Sequence, residues 1–564
     1  MGRVQGKGNM QLNPIHLSIA KLLEGRLFRI PDYQRAYSWQ TRQRQDLFDD
    51  IREAHRSGRE HFMATVVALG RENRRIAADE FKAVELVDGQ QRVTTIVILL
   101  KAIEKRLSEQ VEGQSRPKRD LGYLLIKGDE HSLVLLQTNH DSSNVFTSYL
   151  RAGVCDERSV VTASDRNLVD AARECEEFVA RWAEGDKLIE LLATIKNRLS
   201  IIYHELADEA TVYRVFEVLN SRGLDVKWID KTKSQMMSSI FEFVELGARV
   251  DGLSEMRTIW KDVYRTLGLR LTLGNEALRF AGTLSMPSRP NRVLSEEDAS
   301  LALIERGGKK FDKIVKAADW LLKVVRAVND LNNDHRRAAV TKIAHARFLA
   351  IAIMLRGFTD SQQKDLLDAW EKVTFRIFGL GGADTRNKVG EYVRLAHDVW
   401  AKNLSADEIL KFLKQLGEGY DINTLFKKQE YWDNCYEGWS EELRYILFRY
   451  EENLASEAGE KINASQWNKI WADEPSKSIE HIVPQSDEPK FKHHLGNLTI
   501  LPPGMNSSLK DKPPAKKAAD YLGCGLRETM AIGKLIKEKG DWSQEMVSER
   551  AERIEKFVRT QWAD

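Results

Sequence analysis

The chain has 564 residues, 30 % of them charged, with 86 Lys plus Arg against 84 Asp plus Glu and a formal net charge of only +2. At ~100–200 residues per domain this length predicts three to five folded units, and the near-neutral balance confines any nucleic-acid surface to a local patch. Cys155, Cys175, Cys435 and Cys524 show no C-x-x-C spacing, no apolar stretch reaches the roughly 18 residues of a membrane span, and "MGRVQGKGNMQLN" lacks a signal-peptide core, so a cytoplasmic protein without disulfides or a cysteine zinc site is expected.

The first elements mix helix and strand. A helix is expected over about residues 14–24, a short strand at "LFRIP", a polar helix over about residues 41–56, and strands at "FMATVVAL" and "KAVELV". The last of these runs into "DGQQR", after which apolar residues recur with helical spacing from Val93. Strand, tight loop and helix in that order place Arg92 near the positive end of a helix macrodipole, where an anion is welcome. Residues 105–165 read as a charged insertion followed by helices, "LSIIYHEL" as a further strand, and "DEATVYRVFEVL" as a helix that stops at "NSRG".

Between about residues 232 and 415 the pattern is almost wholly helical. Segments such as "KKFDKIVKAADWLLKVVRAVNDL" are amphipathic, and such helices ordinarily serve to bury a face. "EELRYILFRYEENLA" is one more. The texture then changes to a strand at "SKSIEHIVPQ", a second at "LGNLTILPP", and a lysine-bearing helical stretch. The expected fold class is α+β and predominantly helical, with domains at 10–235, 236–435 and 436–564.

Two constellations carry chemistry. In the first, "IPDYQRAYSW" sets Tyr33, Gln34, Arg35, Tyr37 and Trp39 in a segment too polar for a core strand and too aromatic for an idle loop. "VDGQQR" adds a glycine turn whose free backbone N–H groups open a helix, a natural anion site. Arg222 projects beside the helix end at "NSRG". Arg35, Asp88, Gly89, Gln90, Gln91, Arg92 and Arg222 therefore form a candidate site for a polyphosphate or a DNA phosphate. Each also has a bland reading: Gly223 as a left-handed helix end, Asp88 as an N-cap, Tyr37 and Trp39 as core. Tyr33, Tyr37 and Trp39 are candidates for stacking on a flipped base, or for stabilising the fold.

In the second constellation Glu480 and His481 end a strand, Asn497 opens the next, and Asn506 opens the helix after it. A ββα hairpin of this length brings the four side chains around one point. Glu480 and the amide oxygen of Asn506 are candidate ligands of a hard cation such as Mg²⁺, with open positions for water and phosphate. His481 is the candidate general base, and Asn497 is expected to hold the hairpin or orient the imidazole. His493 and His494, in the hairpin loop, are left outside the site. Lys510, Lys512, Lys516 and Lys517 form a local basic cluster suited to a DNA backbone, or a solvated helix face.

"IEHIVPQ…LGNLTIL…MNSSLK" resembles the HNH nuclease motif, and "EHIVPQ" is similar to the HNH segment of RNA-guided CRISPR nucleases, with Glu480 in place of the usual first Asp and Asn506 as the final residue. The N-terminal motifs, standing at Ile30–Trp39, Asp88–Thr95 and Phe216–Gly223, resemble those of the GmrSD-type modification-dependent restriction enzymes, to which the SspE and BrxU nucleases are related. One departure is visible: the third motif usually continues to a Leu-x-Lys-Asn ending, whereas here it runs Ile229, Asp230, Lys231, Thr232, Lys233, Ser234.

The resemblance implies a ParB/sulfiredoxin-like domain that binds and hydrolyses GTP or another nucleoside triphosphate with the DGQQR corner at the phosphates, and a C-terminal metal-dependent HNH nuclease. The expected function is NTP-regulated cleavage of foreign double-stranded phage DNA carrying a modified base or a phosphorothioate backbone, with a functional link to a DNA-modification system. Cutting both strands with one HNH centre calls for a homodimer or two successive events. The alternatives are an RNA-cleaving abortive-infection toxin and a non-catalytic ParB-like DNA-binding regulator.

Overall fold

The computed structural model describes residues 14–563 apart from 32, 77–78, 128–132, 139–142, 183–186, 207–226, 244–245, 427–431, 463 and 472. The chain divides into two compact units, residues 1–282 with 296–326, and residues 283–295 with 327–564. Arg222 and the motif ending at Gly223 lie outside the described residues.

The first unit is built on a mixed sheet. β3 (His61–Gly70) and β5 (Asp79–Asp88) are the valine-rich runs expected to be strands, and they pair antiparallel, while β2 (Arg26–Arg29) joins β5 in parallel. The described strands form a seven-stranded sheet in the order β1 (Ile15–Ser18), Leu199–Leu206, β3, β5, β2, Leu136–Gln137, with β4 (Arg74–Ile76) paired on β5. α2 (Thr41–Ser57) buries Leu47, Phe48, Ile51 and Ala54 along one face and ends at Gly58, whose φ of 65° is left-handed. α3 (Gln90–Arg106) is buried nearly all round from Val93 to Ile103, which makes it the unit's central helix.

Two expectations change. The helix expected over residues 14–24 is a strand in its first part: Ile15–Ser18 pair antiparallel with Leu199–Leu206, and only Ile19–Leu23 are helical, with the Ser18 hydroxyl accepting the Lys21 N–H at 3.4 Å. A strand partner some 180 residues away in sequence leaves no local trace, and tertiary pairing overrides propensity. In the 105–165 segment, Leu136–Gln137 form a parallel strand beside β2 and extend the main sheet.

Among its described residues the second unit is helical except for one short antiparallel ladder, in which Ile479, Glu480 and His481 face Ile500, Thr499 and Leu498. Its long helices follow the amphipathic pattern; Ser440–Glu457 buries Leu443, Tyr445, Ile446, Leu447 and Phe448. The expected α+β, predominantly helical class is what forms. Among the described residues no helix is long and apolar enough to cross a membrane.

Candidate functional site

The C-terminal ladder is only three residues deep, so its position depends on what grips it. Arg550, fully buried on the helix Gln544–Gln561, donates to the carbonyls of Leu495 and Leu498 at 2.9 and 2.8 Å and to Glu528 Oε1 at 2.8 Å. That helix runs so close to Gly496 that a Cβ there would collide with the Val547 carbonyl oxygen. Asn497 is wholly buried and bonds only backbone: its Oδ1 accepts from Val483 N at 2.9 Å, and its Nδ2 donates to the Val483 and Lys492 carbonyls at 3.2 and 3.0 Å. It holds the hairpin, one of its two expected roles, and takes no part in orienting the imidazole.

His481 is 6 % exposed. Its Nε2 lies 3.1 Å from His493 Nδ1, and its Nδ1 lies 3.2 Å from Gln485 Nε2. The Tyr436 ring meets His481 edge-on with centroids 4.7 Å apart and stacks on His493 at 5.4 Å with planes 9° apart. Burial, reinforced by His493, Lys517 and Lys492, pushes His481 down to about 3. Its imidazole is therefore neutral at pH 7, with the lone pair a general base needs, and the burial that keeps it neutral also lowers its basicity.

Glu480, the expected metal ligand, is paired through one of its two oxygens. Its Oε1 accepts from Lys517 Nζ at 2.7 Å and from the Tyr521 hydroxyl at 2.9 Å, with the carboxylate buried. Lys517 also donates to the His481 carbonyl at 2.6 Å, so an internal ammonium is held between the carboxylate and the strand backbone. Asn506 Nδ2 donates to the carbonyls of Lys477 and Ile479 at 2.8 and 3.0 Å, pinning its helix to the strand. No group of three or more His, Cys, Asp or Glu suited to a metal occurs among the described residues. Lys510, Lys512 and Lys516 are exposed, and Lys512 faces Asp520 at 3.9 Å; Lys517 leaves their cluster for the interior.

In the first unit β5 ends at Asp88, and Gly89 (φ 83°) caps α3, which begins at Gln90 rather than Val93. A Cβ at Gly89 would sit 2.8 Å from Val66 Cγ2, so glycine is needed for the close approach as well as the left-handed turn. Gln90 and Gln91 point into the 33–39 segment. Gln91 Oε1 accepts from Ser38 N at 2.7 Å and Trp39 N at 3.3 Å, and its Nε2 donates to the Ala36 carbonyl at 3.2 Å. Gln90 Nε2 donates to Gln34 Oε1 at 3.1 Å and to the Arg35 carbonyl at 3.2 Å; Gln34 Nε2 donates to the Val87 carbonyl at 2.7 Å. The two side-chain amides expected at phosphates thus hold the frame together.

Tyr33, Tyr37 and Trp39 do not offer a stacking platform: all three are buried, and the Tyr37 hydroxyl lies 2.9 Å from Thr95 Oγ1. What the frame leaves outward is charge. Arg92 sits in the first turn of α3, 5.5 Å above the Trp39 ring, facing Asp88 and Asp50; Arg35 faces Asp88 and Asp230. Neither closes an ion pair with them among the described residues. Burial is the dominant influence on both and lowers both, so each guanidinium is partly desolvated without a matched carboxylate. Together with the free N–H groups of the first helical turn, this set fits an anion such as a phosphate.

Sequence reasoning missed several of these groups. Lys233 Nζ donates to the Gln34 carbonyl at 3.2 Å and Ser234 Oγ to the Tyr33 carbonyl at 3.0 Å, so the divergent tail of the third motif also clamps the first. Lys517 was readable: Pro514, Lys517, Ala518 and Tyr521 recur at helical spacing as one buried face, with the lysine inside it. His493 had no such signal.

Two family models match this architecture. The N-terminal domain of the GmrSD restriction endonucleases matches residues 19–237, and their C-terminal domain matches residues 421–557. A search of the curated proteins returns no match. With the turn at Asp88–Arg92 inside the first match and the His481 hairpin inside the second, the chain belongs to the GmrSD restriction endonucleases and is a DNA endonuclease of phage defence.

Proposed function

We propose that His481 is the general base for hydrolysis of a DNA phosphodiester, and that a nucleoside triphosphate held at the Asp88–Arg92 turn licenses the cut. The observation that carries the nuclease half is the setting of His481: a buried imidazole whose two nitrogens are both met by polar side chains, on a hairpin clamped by Arg550, Asn497 and the close packing at Gly496. His481 takes the proton of a water aimed at phosphorus; the water oxygen forms the new P–O bond as the ester P–O bond breaks, and the leaving oxygen takes its proton from solvent. The second oxygen of Glu480 and the amide oxygen of Asn506 would hold a divalent cation, which would stabilise the charge developing at phosphorus.

In the nucleotide half, Arg35, Arg92 and the first-turn N–H groups of α3 hold the phosphates of GTP or another triphosphate, with Gln34, Gln90 and Gln91 keeping the frame in place. Hydrolysis of the bound triphosphate is the chemistry that can be coupled to cutting. The substrate reading, double-stranded foreign DNA with a modified base or backbone, is supported by the family membership. The test is cleavage of modified and unmodified phage DNA by the full chain and by His481→Ala, in Mg²⁺ and in EDTA, with and without GTP or ATP, and with total RNA as a control. A loss of at least ~100-fold in the variant is expected, the usual share of a general base. Equal cutting by both proteins removes His481 from the chemistry, and cutting indifferent to nucleotide removes the licensing.

A further inference from the structure

We infer that His493 is a positioning residue for DNA cleavage: its Nδ1, 3.1 Å from His481 Nε2, fixes the tautomer and the ring orientation of the base. This rests on His481 being the base. An imidazole acting as a general base must present one nitrogen as a bare lone pair and keep its proton on the other, and a hydrogen bond at the second nitrogen decides which.

The contacts around the pair agree on one set of donors. Gln485 Nε2 is an amide N–H and donates to His481 Nδ1, 3.2 Å away, so His481 carries its proton on Nε2. That N–H then donates to His493 Nδ1, which must be bare, so His493 holds its own proton on Nε2. This last N–H faces Glu437 Oε1 at 3.7 Å. These amide and tautomer states satisfy the Gln485 and His481 donors and leave the His493 Nε2–H directed at the exposed Glu437 carboxylate. The bare lone pair of His481 is consequently Nδ1, the nitrogen to which Gln485 now donates, and a water that displaces Gln485 delivers its proton there. The imidazolium so formed keeps its Nε2–H bond to His493.

His493 is itself held on several sides. Its ring stacks on Tyr436, its carbonyl accepts the Cys435 N–H at 2.9 Å, and the adjacent Lys492 carbonyl accepts from Asn497 Nδ2 at 3.0 Å. A loop histidine fastened at ring, backbone and neighbour is costly to build as a mere spacer, since each fixed group opposes conformational entropy.

The test uses the full chain cutting phage DNA that contains glucosylated hydroxymethylcytosine, and plasmid DNA in parallel. His493→Phe keeps the stack on Tyr436 and removes the acceptor; His493→Gln retains an acceptor. His493→Phe is expected to lower kcat by ~10–100-fold, the usual loss when the partner orienting a functional histidine is removed, with KM for DNA little changed. His493→Gln should restore most of it. The ¹⁵N spectrum of histidine-labelled protein should show His481 protonated on Nε2 in the wild type and in His493→Gln, and as a tautomer mixture in His493→Phe. Wild-type cutting by His493→Phe, or equal failure of both variants with a lowered unfolding midpoint, overturns the inference. So does a His493→Phe as inactive as His481→Ala that glutamine does not rescue, which would place His493 in the chemistry itself. If His481→Ala cuts normally the base assignment fails; if His481→Ala is inactive and His493→Phe is fully active, only the positioning role fails.

Discussion

The turn at Asp88–Arg92 and the hairpin at Glu480–His481 are both assembled from short motifs far apart in sequence, yet they distribute polarity in opposite ways. At the turn, the uncharged members are satisfied within the frame: Gln34 and Gln90 bond to each other and to backbone, Gln91 bonds to backbone, and among the described residues two guanidiniums remain without an ion pair. At the hairpin the charged member is satisfied, Glu480 by Lys517 and Tyr521, and the neutral imidazole is left beside other neutral donors and acceptors. An arrangement that leaves cations unmatched invites an anion. One that buries an imidazole beside an internally paired carboxylate keeps that imidazole neutral, with a lone pair to offer. The lesson is that the ligand of a site is indicated by the groups its frame leaves unsatisfied, more than by the letters of the motif.

The largest expected effect lies in the hairpin's internal ion pair. Replacing Lys517 with Met keeps much of the side-chain volume and strands a buried carboxylate, a change that costs about 3–5 kcal/mol when one partner of a buried pair is lost. Denaturant unfolding of Lys517→Met should show that loss, and Glu480→Gln in the same background should recover part of it. If Lys517→Met is as stable as the wild type and gains a divalent-cation dependence of its unfolding midpoint, then a metal alone can match Glu480 and the contrast between the two regions collapses.

That ion pair also marks the limit of what could be read from sequence. β3, β5, α2, the helical middle and the hairpin were legible because each has a local period, and His481 was legible because a strand end, a turn and a second strand surround it. Gly89 and Gly496 were identifiable as glycines but not for their reason, since the Val66 side chain and the Val547 carbonyl that crowd them come from distant elements. His493 was left outside the site because nothing nearby in sequence announces that Tyr436 will stack on it. Gln90 and Gln91 were placed at phosphates because a glycine turn opening a helix reads in sequence as an anion site. Their side chains turn inward to the 33–39 segment, whose unsatisfied backbone groups need partners.

A smaller effect sharpens the other half of the comparison. Arg92→Ala removes one unmatched cation while leaving Gln90 and Gln91 to hold the frame, so the fold should persist. Loss of one charge-assisted contact to a phosphate is worth roughly 1.5–3 kcal/mol, or about 10–150-fold in nucleotide affinity. Titration of GTP and ATP into the purified variant, with its unfolding midpoint as control, checks this. Nucleotide binding and hydrolysis at wild-type levels would take Arg92 out of the site and leave its burial over Trp39 as simple packing.

The smallest expected effect is the absence of one. With His481 at about 3, its neutral fraction hardly changes between pH 8 and pH 5, so the cleavage rate should show no acid limb from this group in that range. Stability should behave differently. In the unfolded chain a histidine titrates near its ordinary value of about 6.5. Between there and about 3 the unfolded state binds a proton that the folded state excludes. The contribution from keeping His481 neutral is therefore whole above about pH 6.5 and is lost as pH falls, by at most about 1.4 kcal/mol per pH unit. His481→Phe removes that slope. Parallel pH profiles of cleavage in the wild type and of unfolding in both proteins separate the two quantities: a flat rate over a falling stability supports a desolvated base. A rate that halves near pH 6–7 would show that the imidazole titrates in the working enzyme as it does in water, and that the closed hairpin is not the state that cuts.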